Sequence, residues 1–207
     1  YLSLRAVALL GESLINGKPF YEFFKYAKSY NIEAADLIKT MYGNIDLASS
    51  NIQKIMNGFI EETKGELWDT EEELVSHYKI DKNYQKLRDG EVGGNLIYKY
   101  KSKNIVEAGI DWIDFFEDQV FNEIKKKQIS AKSFDSVKLE ISEISNFCKL
   151  KINGLLNPNI DTSPIDSQFK YDILKWIDDE NENNDLSNYE LSYENSTIKF
   201  EYTADQI

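Results

Sequence analysis

Residues 133–153, SFDSVKLEISEISNFCKLKIN, decide the fold class. Phe134, Val137, Ile141, Ile144 and Cys148 are spaced three, four, three and four residues apart. That spacing lines one face of an α-helix, and a strand with its period of two cannot use it. It predicts a helix over about 133–153, which Gly154 and Pro158 stop. Upstream, Ile113, Phe116, Val120 and Ile124 repeat the pattern within a long helical stretch predicted over about 96–127. Lys125, Lys126 and Lys127 close it, cations at the negative end of the helix dipole. The short connection between the two makes them antiparallel neighbours.

Toward the N-terminus, Leu4, Val7, Leu10 and Leu14 form a stripe that Asn16 and Gly17 close, and Pro19 suits the first turn of the next helix. Phe20, Phe23, Phe24 and Ala27 follow at i, i+3, i+4, i+7, and so do Ala34, Leu37, Ile38 and Met41 before Gly43. Ile52, Ile55, Met56, Phe59 and Ile60 make a fourth stripe, which Gly65 ends. Thr70 with Glu73 reads as a capping box opening a short helix through Leu74 and Tyr78. Residues 89–95, DGEVGGN, carry the strongest turn signal in the chain.

Beyond residue 160 the character changes. Residues 169–177 set Tyr171, Ile173 and Ile177 against Asp172, Leu174 and Trp176, residues 196–202 alternate as well, and two or three strands are expected. The acidic, Asn-rich stretch 178–188 reads as a mobile loop, and residues 203–206, TADQ, as the first turn of a helix. The expected fold is mostly α (α+β), a multi-helix bundle with a small C-terminal β element. The bundle spans 1–160 and the β-containing element 161–207 packs on it, one domain overall.

A chain of 207 residues can bury roughly 70% of its unfolded surface and needs no staples. A single cysteine, Cys148, excludes an internal disulfide, an all-cysteine zinc site and a cysteine-ligated iron–sulfur cluster within the chain. A single histidine, His77, removes the Ser-His-Asp and Cys-His chemistries unless that residue carries them. The net charge of −12 is a C-terminal property: Asp and Glu stand 12 against 3 Lys and Arg over 161–207, but 15 against 12 over 1–100. With no basic stripe beyond the lysine triplet, nucleic acid is not an expected partner. No apolar run approaches the roughly 18 residues of a membrane helix, so a soluble, cytoplasmic protein is expected, without membrane contact. The start, YLSLRAVALLGES, lacks a basic leader and a cleavage site and reads as a chain entered in mid-domain.

Few residues suggest chemistry. Glu73 and His77 lie four apart on one helix face, a spacing that can hold a metal, but further ligands are missing nearby and a surface pair is expected. Glu71, Glu72 and Glu73 complement a helix dipole. Asp111, Asp114, Glu117 and Asp118 form a carboxylate cluster that reads as a solvated face. Gly90, Gly93 and Gly94 precede a helix without the spacing of a dinucleotide or Walker loop, so a tight turn is expected. Cys148 reads as a buried, inert thiol. No catalytic, cofactor or metal residue is expected. The candidate interface is Gly93, Gly94, Asn95, Tyr98 and Tyr100, where glycines permit close approach and tyrosines offer large amphipathic contacts. The alternative is that both tyrosines belong to the core.

Residues 66–74, ELWDTEEEL, then Asn83, Tyr84, Lys86 and Leu87, then 90–101, GEVGGNLIYKYK, together with 169–176, FKYDILKW, and 200–203, FEYT, carry a resemblance. The chain resembles, over nearly its whole length, the C-terminal helical region that follows the catalytic core in cobalamin-binding radical SAM proteins. The family's activity depends on a three-cysteine cluster motif, and this chain has one cysteine. What the resemblance implies is a non-catalytic accessory domain that packs on or caps a catalytic core. The iron–sulfur cluster, S-adenosylmethionine and cobalamin are then bound elsewhere in the parent chain, and the partners are its catalytic domains or another protein. The runner-up is a free-standing helical protein-protein interaction module. A third reading is a hydrolase built on Glu73, His77 and the Asp111 cluster.

Overall fold

The computed structural model describes residues 1–16, 18–127, 132–156, 165–181, 184–192 and 197–200. Helix α1 (Leu2–Leu10) runs into a π-helical turn (Gly11–Ile15), then α2 (Tyr21–Ser29), α3 (Ala34–Gly43), a 3-10 turn (Ile45–Leu47) and α4 (Ser50–Gly65). Two short helices follow, α5 (Glu71–Tyr78) and α6 (Asp81–Arg88), then α7 (Leu96–Val106), α8 (Gly109–Lys127) and α9 (Phe134–Leu156). Strand β1 (Ile165–Gln168) pairs antiparallel with β2 (Thr197–Phe200), with Ile165 opposite Phe200, and the short α10 (Ile173–Asp178) lies between them in sequence. The fold is mostly α with a small C-terminal β element. Among the described residues no helix is long and apolar enough to cross a membrane.

Local chemistry sets the boundaries. Ser49 caps α4, its hydroxyl accepting from the Ile52 N–H at 3.2 Å. After α2 the chain turns through Asn31 at φ 54°, while the Asn31 and Ile32 N–H groups donate to the Lys28 and Ala27 carbonyls at 2.8 and 3.0 Å. That is a Schellman ending with asparagine in the left-handed position, closed by buried Ile32.

Helices α8 and α9 are the centre and run antiparallel: Lys149 pairs with Asp114 at 2.7 Å near one end, and Phe121 meets Phe134 at 6.3 Å near the other. Val137, Ile141, Ile144 and Cys148 are fully buried, as the spacing predicts, but Phe134 at the head of that stripe is 44% exposed and the helix runs past Gly154 to Leu156. Phe116 of α8 is ringed by Phe20, Phe23 and Phe24, with centroids 5.1 to 5.2 Å away. Burying each such ring stabilises the fold by about 1.5–3 kcal/mol. The same apolar cluster takes in Phe169, Tyr171, Ile173, Trp176 and Leu186 from the C-terminal element. Lys25 adds a polar tie, donating to the Ile177 and Asp179 carbonyls at 3.1 and 2.6 Å at the end of α10.

Four further expectations are corrected. The predicted helix over 96–127 is two helices, turned at residues 107–108. Fully buried Asn104 holds that corner, donating to Ser13 Oγ at 3.0 Å and accepting from Trp112 Nε1 at 3.2 Å. Residues 173–177 are helical, because Asp172 caps the turn by accepting from the Lys175 N–H at 3.0 Å and the Ile173 and Trp176 side chains share one buried face. Within 178–188, the described residues 184–188 pack: Leu186 is buried, and Trp176 Nε1 donates to the Asn184 carbonyl at 3.0 Å. Leu4 is exposed, since α1 buries Ala6, Leu9 and Leu10 and the π turn carries Ser13 and Leu14 inward. The predicted stops at Gly17 and Pro158 and the turn at 203–206 lie outside the described residues.

Candidate functional site

From residue 64 to residue 95 the chain buries no side chain. This arm holds α5 and α6, helices of 8 residues each, rich in charge and poor in apolar residues. Thr70 starts α5 by accepting from the Glu73 N–H at 3.2 Å, and Asn83 Nδ2 folds α6 back by donating to the His77 carbonyl at 3.0 Å. Trp68, Leu74 and Tyr78 are half-buried, and the other apolar residues stay in water. Leu67, Val75, Ile80, Tyr84, Leu87 and Val92 are all between 40% and 57% exposed.

Between the arm and the facing ends of α4 and α7 lies a cleft of about 970 Å³. One wall carries Trp68, His77 and Tyr78, whose rings touch: Trp68 to His77 at 4.7 Å and His77 to Tyr78 at 5.0 Å between centroids. Glu62, Glu66 and Lys99 also line the cleft. Lys99 Nζ donates to both oxygens of Glu62 at 2.8 and 2.7 Å, and Tyr100 OH donates to one of them at 2.7 Å. The Lys99 and Tyr100 donors hold the Glu62 carboxyl below its ordinary range. The 90–95 turn lines the cleft with Gly90 and Gly93 at φ +75° and +76°, conformations that favour glycine. At Gly93 a Cβ would also meet Leu87 Cδ1 at 2.8 Å.

The structure divides the candidate interface. Gly93, Gly94 and Asn95 are exposed on the cleft, and Asn95 caps α7 by accepting from the Ile97 N–H at 3.0 Å. Tyr98 is 67% exposed. Tyr100, by contrast, is a core residue at 3% exposure: its ring stands edge-on to Phe59 at 5.4 Å and crosses Gly58, where a Cβ would come within 3.0 Å of its hydroxyl. It offers no free face to a partner.

Glu73 and His77 are both exposed, and His77 turns to Trp68. Among the described residues no three His, Cys, Asp or Glu side chains gather as a metal site. Asp111 accepts from Asn51 Nδ2 at 2.9 Å and Asp114 pairs with Lys149, so these two members of the cluster tie α8 to its neighbours. Of the lysine triplet, Lys126 pairs with Glu123 at 2.7 Å and Lys127 donates to the Asn31 carbonyl at 2.8 Å. Cys148 is buried with its Sγ 3.4 Å from Glu22 Oε2, and burial, then the Glu22 charge, push its thiol well up. Sequence reasoning passed over Trp68 as a site residue. Its signal is compositional: a tryptophan between Gly65 and the Thr70 cap, outside every apolar stripe. Comparison with family models, curated proteins and solved structures returned no match for this chain.

Proposed function

We propose that this chain is a non-catalytic accessory domain that docks through the arm of residues 66–95 onto the catalytic core of a larger enzyme, of the kind found in cobalamin-binding radical SAM proteins. The arm carries the reading: none of its residues is fully buried within its own chain, and it holds apolar side chains up to 57% exposed at Ile80. Helices of 8 residues are marginal in water unless packing supports them. A partner that covers Leu67, Val75 and Leu87 supplies that packing. Residues 66–101, which carry most of the resemblance, are the arm and the start of the helix it enters. In this reading the iron–sulfur cluster, S-adenosylmethionine and cobalamin belong to other parts of the parent, and the chain lends them no ligand.

The test is binding between this chain and the catalytic part of its parent. Leu87→Asp, which places a charge on the apolar face of α6, should weaken docking tenfold or more and leave the far-ultraviolet circular dichroism unchanged. Docking indifferent to Leu87→Asp contradicts the proposal, as does a complete reading frame that encodes neither a cobalamin-binding region nor a three-cysteine motif.

A further inference from the structure

We infer that the cleft beside the arm receives a cationic side chain, an arginine foremost, from the segment of the partner that docks there. The inference rests on the docking reading above and adds the partner's chemistry. Trp68, His77 and Tyr78 line one wall, with ring planes mutually tilted by 52° to 85°. An aromatic face attracts a cation through its quadrupole, tryptophan most strongly. The stretch that carries these rings, residues 65–78, also holds Glu66, Asp69, Glu71, Glu72 and Glu73, and no lysine or arginine. Two cations line the cleft, Lys86 and Lys99. Lys99 is engaged by both oxygens of Glu62, which leaves Lys86 opposite Glu66 and Glu91 among the lining charges.

The rings thus share the cleft with Glu66, and the stretch that carries them is acidic in sequence, with Asp69, Glu71, Glu72 and Glu73 close by along the chain. A guanidinium fits that pairing: it is planar and weakly hydrated, so it stacks on a ring while its N–H donors reach a carboxylate such as Glu66. Arg5 approaches Glu66 only at 3.9 Å, so that carboxylate keeps acceptor capacity. At about 970 Å³ the cleft far exceeds one guanidinium, so the group arrives on a polypeptide. An acidic or phosphorylated segment would meet Glu66 and Glu91 in the cleft and be repelled.

Trp68 is its own reporter, because Trp112 and Trp176 are fully buried. The probe is a blocked peptide, acetyl-GRLGRG-amide, titrated into the whole chain beside two controls, one with citrulline and one with glutamate in place of arginine. The expected result is a saturable change in Trp68 emission with the arginine peptide alone, weakened roughly threefold or more by Glu66→Gln, a size typical of exposed cation–π and charge contacts. Calorimetry with Trp68→Leu, a substitution outside the core, should show a similar loss. An equal response to the citrulline peptide, or a stronger one to the glutamate peptide, overturns the inference. Docking to the parent that is lost in Leu87→Asp but indifferent to both Glu66→Gln and Trp68→Leu overturns the cation site and leaves the docking reading standing.

Discussion

Tyr98 and Tyr100 stand two residues apart on α7 and face opposite environments. Tyr100→Phe keeps the ring against Phe59 and loses only the bond to Glu62, a cost of about 1 kcal/mol. Tyr100→Ser also leaves a cavity and should cost about 3–5 kcal/mol. Tyr98→Ser, at a site 67% exposed, should change stability by no more than about 0.5 kcal/mol. Urea unfolding of the three variants checks the order, and a large loss at Tyr98 would put that residue in the core as well. A second group of side chains responds to pH. Glu140, 1% exposed, accepts from Tyr26 OH at 2.7 Å and from Lys132 at 2.6 Å, and Lys132 also bonds Asp185. Burial alone would raise the Asp185 carboxyl, but the Lys132 ammonium and the Ser187 donors outweigh it and hold the group below its ordinary range. A carboxylate depressed in the fold contributes stability that is complete above its unfolded value, about 3.9, and is lost as pH falls through the folded value. The tie between Lys132 and the C-terminal element should therefore loosen below about pH 4. Fully buried Trp176 reports it, and Lys132→Met, which has no such tie to lose, should remove the change in its emission. Emission that stays flat from about pH 5 to about pH 2 contradicts this tie.

Among the elements, the arm is separable from the body. Replacing residues 67–94 with a short Gly-Ser linker removes no buried side chain. The melting temperature should then move by no more than about 3 °C. A fall of roughly 10 °C would make the arm part of the core. Where a helix owes its existence to its own stripe, as α8, α9 and α4 do, its residues announce it. The corner at residues 107–108 depends on Asn104 meeting Ser13, which is 91 positions away in the chain, and no local pattern carries that contact. In 169–177 two periods compete. Alternation suits Tyr171, which makes one antiparallel bridge to Glu190, while the spacing of Ile173 and Trp176 suits the helix that forms once Asp172 caps it. The Thr70 cap, the 89–95 turn and exposed Tyr98 were legible because each is a local signal. The aromatic wall was not, because residues 66–70 must fold back before Trp68 reaches His77.

At the scale of the molecule, one hydrophobic cluster runs from Ala6 to Leu186 and joins the helical body to the C-terminal element, while the arm stands outside it. With Cys148 alone and buried against Glu22, anaerobic reconstitution with iron and sulfide should leave the isolated chain without a cluster. A stoichiometric cluster with a visible charge-transfer band would contradict the ligand argument. The central claim is that residues 66–95 are made to be covered by a partner. Hydrogen–deuterium exchange of the whole chain, alone and with the proposed catalytic core, tests it most directly. The account predicts fast exchange across α5 and α6 in the chain alone, slowed at least tenfold on docking, with α8 and α9 unchanged in both states. Arm amides as protected as those of α8 in the chain alone, or no slowing when the partner binds, would contradict it.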